Sequence, residues 1–327
     1  MKKITVGIAG GAGYTGGELL RLLLHHPNVY IKFVHSTSNA GNKLYAVHSD
    51  LLGDTEMSFS GELQEVDALF LCLPHGKSKD FVKDNQIAAS TKIIDLSTDF
   101  RHSFTDVNRD YEGFVYGLPE FQRDEIKKAN RIANPGCFAT AIQLALLPLA
   151  AANMLSGAIH ISAITGSTGA GRGLSDTTHF SWREGNISVY KQFTHQHLKE
   201  IKATLGKLQK GFSEAVNFIP YRGNFARGIL ASVYTPWKGT ADEALKLYQD
   251  FYATHPFVSI VKDDLDMKQV VATNKCFLQV EVHDGQILIQ SAIDNLLKGA
   301  SGHAVQNFNL VFGLEETTGL KLKSIGY

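Results

Sequence analysis

A strand that breaks on a glycine-rich turn and resumes as a helix leaves the start of a chain few folds to choose from. Residues 3–9 form a near-continuous apolar run, the pattern of a strand covered on both faces. They lead into Gly10-Gly11-Ala12-Gly13-Tyr14-Thr15-Gly16, and residues 18–26, with leucines on more than one face, predict a helix. Strand, turn and helix in that order are the context of a dinucleotide-binding fingerprint. The glycines are spaced G-x-x-G-x-x-G, and bare backbone lets a pyrophosphate approach the helix N-terminus. Gly10, Gly13, Tyr14, Thr15 and Gly16 are therefore candidate cofactor-binding residues.

The first half of the chain keeps this rhythm. Strands are predicted over residues 29–35, 66–73, 92–96 and 131–133, alternating with helical stretches, which argues a parallel α/β sheet. After the second strand comes His35-Ser36-Thr37-Ser38-Asn39-Ala40-Gly41-Asn42-Lys43, with no carboxylate to accept from an adenosine ribose. Ser36 and Ser38, with Lys43, suit a 2′-phosphate, so NADP(H) is the expected cofactor. Pro74 and Ser97 follow the third and fourth strands, at the carboxyl edge where doubly wound sheets bind ligands, and join the cofactor set. Arg101, just beyond, is a candidate anion clamp. Residues 116–120 read as an irregular turn, and Cys72, inside the third strand, as core.

Asn134-Pro135-Gly136-Cys137 carries the chemistry. Proline and glycine break regular structure there, and the charge-free residues 138–154 predict a buried helix. Cys137 then sits in a turn at a helix N-terminus, where the dipole favours a thiolate and a nucleophile. The N–H groups of Gly136 and Cys137 are candidate oxyanion donors. Further on, a strand over 158–165 leads to a glycine-rich loop over 166–173 that lacks a Gly-Lys-Ser/Thr ending, so it is not a P-loop. The loop either cradles a phosphate, with Gly169 in the cofactor set and Arg172 as a substrate contact, or is a flexible crossover. His195 and His197 open a helix running to about residue 208. Two positions apart on a helix they face apart, and no third ligand lies nearby, so no metal is expected and one of them suits acid/base work.

Strands over 216–220 and 227–235, a helix over 241–255 and a hairpin over 276–293, turning on Asp284-Gly285, suggest a second, α+β domain with antiparallel strands. Cys276 reads as structural. A helix over 304–312 is expected to return to the first domain. The fold class is thus α/β: an N-terminal Rossmann-type parallel sheet with a second α+β domain. The expected boundaries are residues 1–136 plus about 303–327 for the NADP-binding domain and 137–302 for a catalytic and dimerisation domain.

The chain of 327 residues suits two domains, and 32 basic against 32 acidic residues create no bulk field for nucleic acid or an anionic membrane. An anionic ligand must be held locally: Arg101 first, then Arg172 and Arg227. Met1-Lys2-Lys3 runs into a strand without a signal-peptide pattern, and the apolar run 138–154 is short for a membrane span and contains Gln143 and Pro148. Three widely spaced cysteines fit neither a disulfide framework nor a zinc cluster, which points to the cytoplasm.

Gly13-Tyr14-Thr15-Gly16, Leu73-Pro74-His75-Gly76, Asp95-Leu96-Ser97, Asp99-Phe100-Arg101, Tyr116-Gly117-Leu118-Pro119-Glu120, Asn134-Pro135-Gly136-Cys137, Gly169-Ala170-Gly171-Arg172 and Lys298-Gly299-Ala300, in this order, resemble the N-acetyl-gamma-glutamyl-phosphate reductase family. Lys199 stands where that family usually has proline, and Asn39 where an arginine commonly follows the second strand. The resemblance implies NADPH-dependent reduction of an acyl phosphate in arginine biosynthesis, with Cys137 as nucleophile and His197 as acid/base. It places Asn295 with the cofactor set and Asn134 and His195 with the substrate set. The expected partners are a small-molecule acyl phosphate and further copies of the chain, as a homodimer or homotetramer. An aspartate-semialdehyde dehydrogenase-type reductase and a non-catalytic NADP-binding sensor stay open as alternatives.

Overall fold

The computed structural model describes residues 3–102 and 113–326. Met1 and Lys2, the start of the segment without a signal-peptide pattern, lie outside the described residues, as does Tyr327. The chain divides into two compact units, Met1–Pro135 with Ala300–Lys321 and Gly136–Gly299 with Leu322–Tyr327.

The first unit holds β1 (Ile4–Ala9), α1 (Tyr14–Leu23), β2 (Val29–His35), β3 (Ala68–Leu71), α2 (Ser78–Asp84), β4 (Lys92–Asp95), β5 (Val115–Tyr116), α3 (Pro119–Lys128) and β6 (Arg131–Ala133). Among the described residues its six strands are all parallel, in the order β2-β1-β3-β4-β6-β5. The order reverses at β1, because the chain goes to β2 on one side and then crosses to β3 on the other. The glycine turn stands at the carboxyl end of β1, at that switch point. The last helix, Ser301–Val311, packs on α1 and α3, so the C-terminal return expected from the sequence is present.

Three local expectations change here. α1 begins at Tyr14, so Gly16 and Gly17 lie inside the helix. A Cβ at Gly16 would stand 2.6 Å from the Gly11 carbonyl oxygen, and one at Gly17 2.7 Å from His48 Nδ1, so glycine here answers crowding. Residues 116–120 are no irregular turn: Tyr116 ends β5, which pairs with β6, and Pro119 opens α3 at a position that needs no N–H. β3 stops at Leu71, so Cys72 follows the strand; it is buried, and burial pushes its thiol up to about 12.

The second unit holds α4 (Cys137–Ala151), β7 (Ile159–Thr165), α5 (Phe180–Arg183), β8 (Ser188–Val189), α6 (His197–Leu208), β9 (Val216–Arg222), β10 (Ile229–Pro236), α7 (Ala241–Tyr252), β11 (Val258–Val261), β12 (Cys276–His283) and β13 (Gln286–Ile293). Its seven strands run β11-β12-β13-β10-β7-β9-β8. The sheet is mixed where antiparallel strands were expected: β7 pairs with β9, and β11 with β12, in parallel. The connection from β7 to β9 contains α6 and is long enough for a parallel crossover. α4 packs on α6, α7, β10 and β13, and a helix without charge needs that enclosure. It stops at Ala151, earlier than expected, where Asn153 at φ 57° turns the chain and donates to the Ala150 carbonyl. Asp284 and Gly285, at φ 45° and 74°, make the tight hairpin turn that their types favour. Among the described residues no helix is long and apolar enough to cross a membrane.

Candidate active site

Cys137 is the first residue of α4, and Gly136, extended at φ −74° and ψ 152°, is its N-cap. Glycine offers no capping side chain, so the first turn is tied otherwise. Thr140 donates both its N–H (2.8 Å) and its hydroxyl (3.0 Å) to the Gly136 carbonyl. The Gly136 N–H donates to Glu200 Oε2 at 3.0 Å. That corrects the expected oxyanion pair, since Gly136 N–H is engaged within the fold. A Cβ at Gly299 would lie 2.8 Å from Cys137 Cβ, which explains glycine in the Lys298-Gly299-Ala300 stretch.

The histidines are arranged differently from the expectation. α6 begins at His197, and His195 precedes the N-cap Gln196, so helical spacing does not separate them. The His197 N–H donates to His195 Nδ1 at 3.2 Å, and the two rings meet edge to face with centroids 4.6 Å apart. Phe138 and Phe218 pack on His195 at 5.5 and 5.4 Å. Burial, then the Lys191 charge, lowers the His195 pKa to about 4, with Glu200 opposing. With Nδ1 accepting, neutral His195 carries its proton on Nε2. His197 is buried, with Nε2 3.9 Å from Glu200 Oε1. One carboxylate therefore stands beside the cysteine turn through one oxygen and beside His197 through the other.

The lowered His195 value has a consequence for stability. Between an unfolded pKa near 6.5 and a folded value of about 4, the unfolded chain binds more protons. The contribution of neutral His195 is thus complete above pH 6.5 and disappears as pH falls toward 4. Thermal melting of the wild type should fall across that window, and His195→Asn should flatten the fall. Identical pH slopes for the two proteins would refute the burial of a neutral imidazole.

In the first unit the glycine turn meets the needs of a dinucleotide. Gly10 takes φ 78°, and a Cβ there would stand 2.6 Å from the Cys72 carbonyl oxygen. Gly13, the N-cap of α1, puts no side chain over the helix end. His48 Nε2 holds the Gly11 carbonyl at 2.8 Å, Ser301 donates to the Thr15 carbonyl, and Tyr14 is exposed. Asn39 donates to both Ser36 (3.4 Å) and Ser38 (3.1 Å), gathering two hydroxyls at the end of β2. Lys43 is paired with Glu56 at 3.1 Å. Pro74 is exposed, in a turn shaped by Asp99, which accepts from the N–H groups of Gly76, Ser78 and Lys79. Ser97 is buried and donates to Asp95 at 2.7 Å.

Several predicted substrate residues brace the fold. Arg101 is buried and donates to the carbonyls of Asn134 and Leu96, each at 2.8 Å. Asn134 donates to the Ala300 carbonyl (3.1 Å) and accepts from Asn307 (3.0 Å). Arg227 forms a two-pronged pair with buried Asp294, at 3.0 and 3.2 Å. Asn295 donates to Thr168 and accepts from Gly228 N–H, and Gly169 lies close by in the second unit; Arg172 is exposed. Glu200, Tyr190 and Arg222 also stand in this neighbourhood and were not expected from the sequence. Arg222 would have been found by running β9 two residues further, since Phe218, Pro220 and Arg222 alternate onto one face.

Residues 5–129 match the family described as semialdehyde dehydrogenase, NAD binding domain, and residues 137–295 match semialdehyde dehydrogenase, dimerisation domain. The chain is 54% identical over 325 residues to the N-acetyl-gamma-glutamyl-phosphate reductase of Christiangramia forsetii, covering 99% of both chains. It is 56% identical over 329 residues to that of Flavobacterium johnsoniae, covering 99% of this chain and all of the relative. Among solved structures, aspartate semialdehyde dehydrogenase II from Vibrio cholerae superposes with a TM-score of 0.72 at 18% identity, covering 95% of this chain and 99% of that one. The Candida albicans aspartate semialdehyde dehydrogenase, solved with NADP, gives 0.71 at 12% identity, over 95% of this chain and 99% of that one.

Proposed function

The chain belongs to the N-acetyl-gamma-glutamyl-phosphate reductase family, and we propose that it reduces N-acetyl-gamma-glutamyl phosphate with NADPH, releasing N-acetylglutamate 5-semialdehyde and phosphate. The observation that carries the assignment is Glu200, placed between the Gly136 N–H of the cysteine turn and His197. Cys137 Sγ attacks the acyl carbon, the bond from that carbon to the phosphate oxygen breaks, and phosphate leaves a thioester on Cys137. When bound, the reduced nicotinamide supplies the hydride. His197 gives a proton to the substrate oxygen as it becomes a hydroxyl, and takes it back when the C–S bond breaks and the aldehyde departs. His195, neutral and tied to the His197 backbone, is a poor proton carrier at neutral pH and offers Nε2–H to substrate instead.

Gly10, Gly13, Tyr14, Thr15 and Gly16 would cradle the pyrophosphate, with Ser36 and Ser38 at the 2′-phosphate and Pro74, Ser97, Gly169 and Asn295 completing the cofactor set. Arg101, Asn134, Arg172 and Arg227 remain in the proposed substrate set. The bonds that Arg101, Asn134 and Arg227 make within the fold support a role in shaping the site. Residues 1–136 with about 303–327 would bind NADP(H), and 137–302 would carry catalysis and assembly. The match to a dimerisation domain supports a homodimer or homotetramer, and a cytoplasmic setting belongs to the same proposal.

NADPH oxidation followed with N-acetyl- and N-succinyl-glutamyl phosphate side by side tests the reading, and consumption with neither would overturn it. NADPH should exceed NADH in kcat/KM, because no carboxylate follows β2 to repel a 2′-phosphate. Ser38→Asp should move the preference toward NADH. Equal values for the two cofactors in the wild type would contradict this part.

A further inference from the structure

Phe218, Pro220 and Arg222 alternate along β9 onto one face of the second sheet. That face carries the cysteine side of α4: the Phe218 ring lies 5.2 Å from Phe138, the residue after Cys137, and 5.4 Å from His195. Arg222 continues the face to the strand's end, with its guanidinium carbon 4.6 Å from the centroid of the Tyr190 ring, itself 5.7 Å from His195. Thr165, at the end of β7, is its register partner, so both side chains leave the sheet on the same side. Thr165 is 1% exposed, and its Oγ1 has no hydrogen-bond partner. Buried Nε atoms of Arg222 and Arg183 are likewise unpaired, and Arg183 is fastened to the spot by its Nη1 bond to the Arg222 carbonyl at 2.9 Å. A buried hydroxyl and two guanidinium N–H groups without acceptors, on two like-charged side chains, are a poor structural solution. They are a good one if an oxyanion arrives with the substrate.

We propose that Arg222, with Thr165 and Arg183 beside it, forms an oxyanion-binding pocket next to Cys137 that holds one of the two anionic ends of the substrate. The identity of that substrate rests on the reductase reading above. The pocket differs from Arg101, which donates to backbone carbonyls, and from Arg227, which pairs with Asp294.

Alkylation of Cys137 by iodoacetamide tests the pocket without turnover, with inorganic phosphate and glutarate as probes. One of them should protect the wild-type thiol saturably. Arg222→Met should raise the half-protecting concentration about tenfold or more, and Thr165→Val less. Arg222→Lys, which keeps charge and loses the fork, should fall between wild type and Arg222→Met. Equal unprotected alkylation rates in all four proteins show an intact cysteine turn. In the reverse reaction, a raised KM for phosphate alone assigns the pocket to the phosphoryl group, and a raised KM for the semialdehyde alone assigns it to the carboxylate. Unchanged protection and unchanged KM values in Arg222→Met overturn the pocket while leaving a functioning reductase. Loss of protection in a protein that turns over no acyl phosphate would keep the pocket and remove the reductase reading.

Discussion

Cys137→Ser is expected to reduce acyl-phosphate turnover to below about a thousandth of the wild-type rate, because a nucleophile's loss normally costs orders of magnitude. Serine fits the same place: the side chain at the head of α4 faces a site where Gly299 leaves room, and oxygen is smaller than sulfur. Melting temperature and NADPH affinity should stay near wild type, since the cofactor turn belongs to the first unit. What serine lacks is an accessible anion, for a helix N-terminus stabilises a thiolate near neutral pH and leaves a hydroxyl protonated. Mass spectrometry of the wild type, quenched with acyl phosphate and no NADPH, should show the acyl group on Cys137. Retention of more than about a tenth of kcat by the serine protein would end the covalent mechanism.

His197→Asn should lower kcat by about 10²–10⁴-fold with little change in KM, the range expected for losing an acid/base group. His195→Asn should cost less, and the reason lies in the structure of the pair. His195 accepts the His197 N–H and has its pKa lowered to about 4, chiefly by burial, so it stays neutral where the enzyme works. His197 Nε2 stands 3.9 Å from the Glu200 carboxylate, which also holds the Gly136 N–H of the cysteine turn. The His197 variant should also flatten the limb of the pH–rate profile that the imidazole controls. A larger loss at His195 would exchange the two roles. Undiminished turnover in both variants would make the pair structural and leave the thiolate to the helix terminus alone.

The elements closest to the chemistry were the most legible. Residues 3–16 announced the strand and turn because glycine there answers local backbone demands, a positive φ at Gly10 and a bare N-cap at Gly13. Asn134-Pro135-Gly136 announced the break before α4 because proline and glycine act on their own dihedrals. The hairpin at Asp284-Gly285 was visible for the same reason. Errors came where the deciding neighbour was distant. Gly16 looked like a turn residue, yet it lies inside a helix, where the Gly11 backbone crowds its position. His195 looked helical, yet its ring stands before the helix among Phe138, Phe218 and Tyr190.

By itself the sequence determined the βαβ start, the cysteine at a helix head, the two-domain organisation and the family, since each depends on residue type and spacing along one stretch. Only the tertiary structure decided the partners of the site's polar groups. It paired Gly136 N–H with Glu200, 64 positions away, bound Arg227 to Asp294, and left the Thr165 hydroxyl and the Arg222 Nε buried without hydrogen-bond partners. The physical reason is that periodicity reports which face of an element is apolar. The acceptor for a buried donor is supplied by whichever distant segment packs over it, and local pattern carries no record of that.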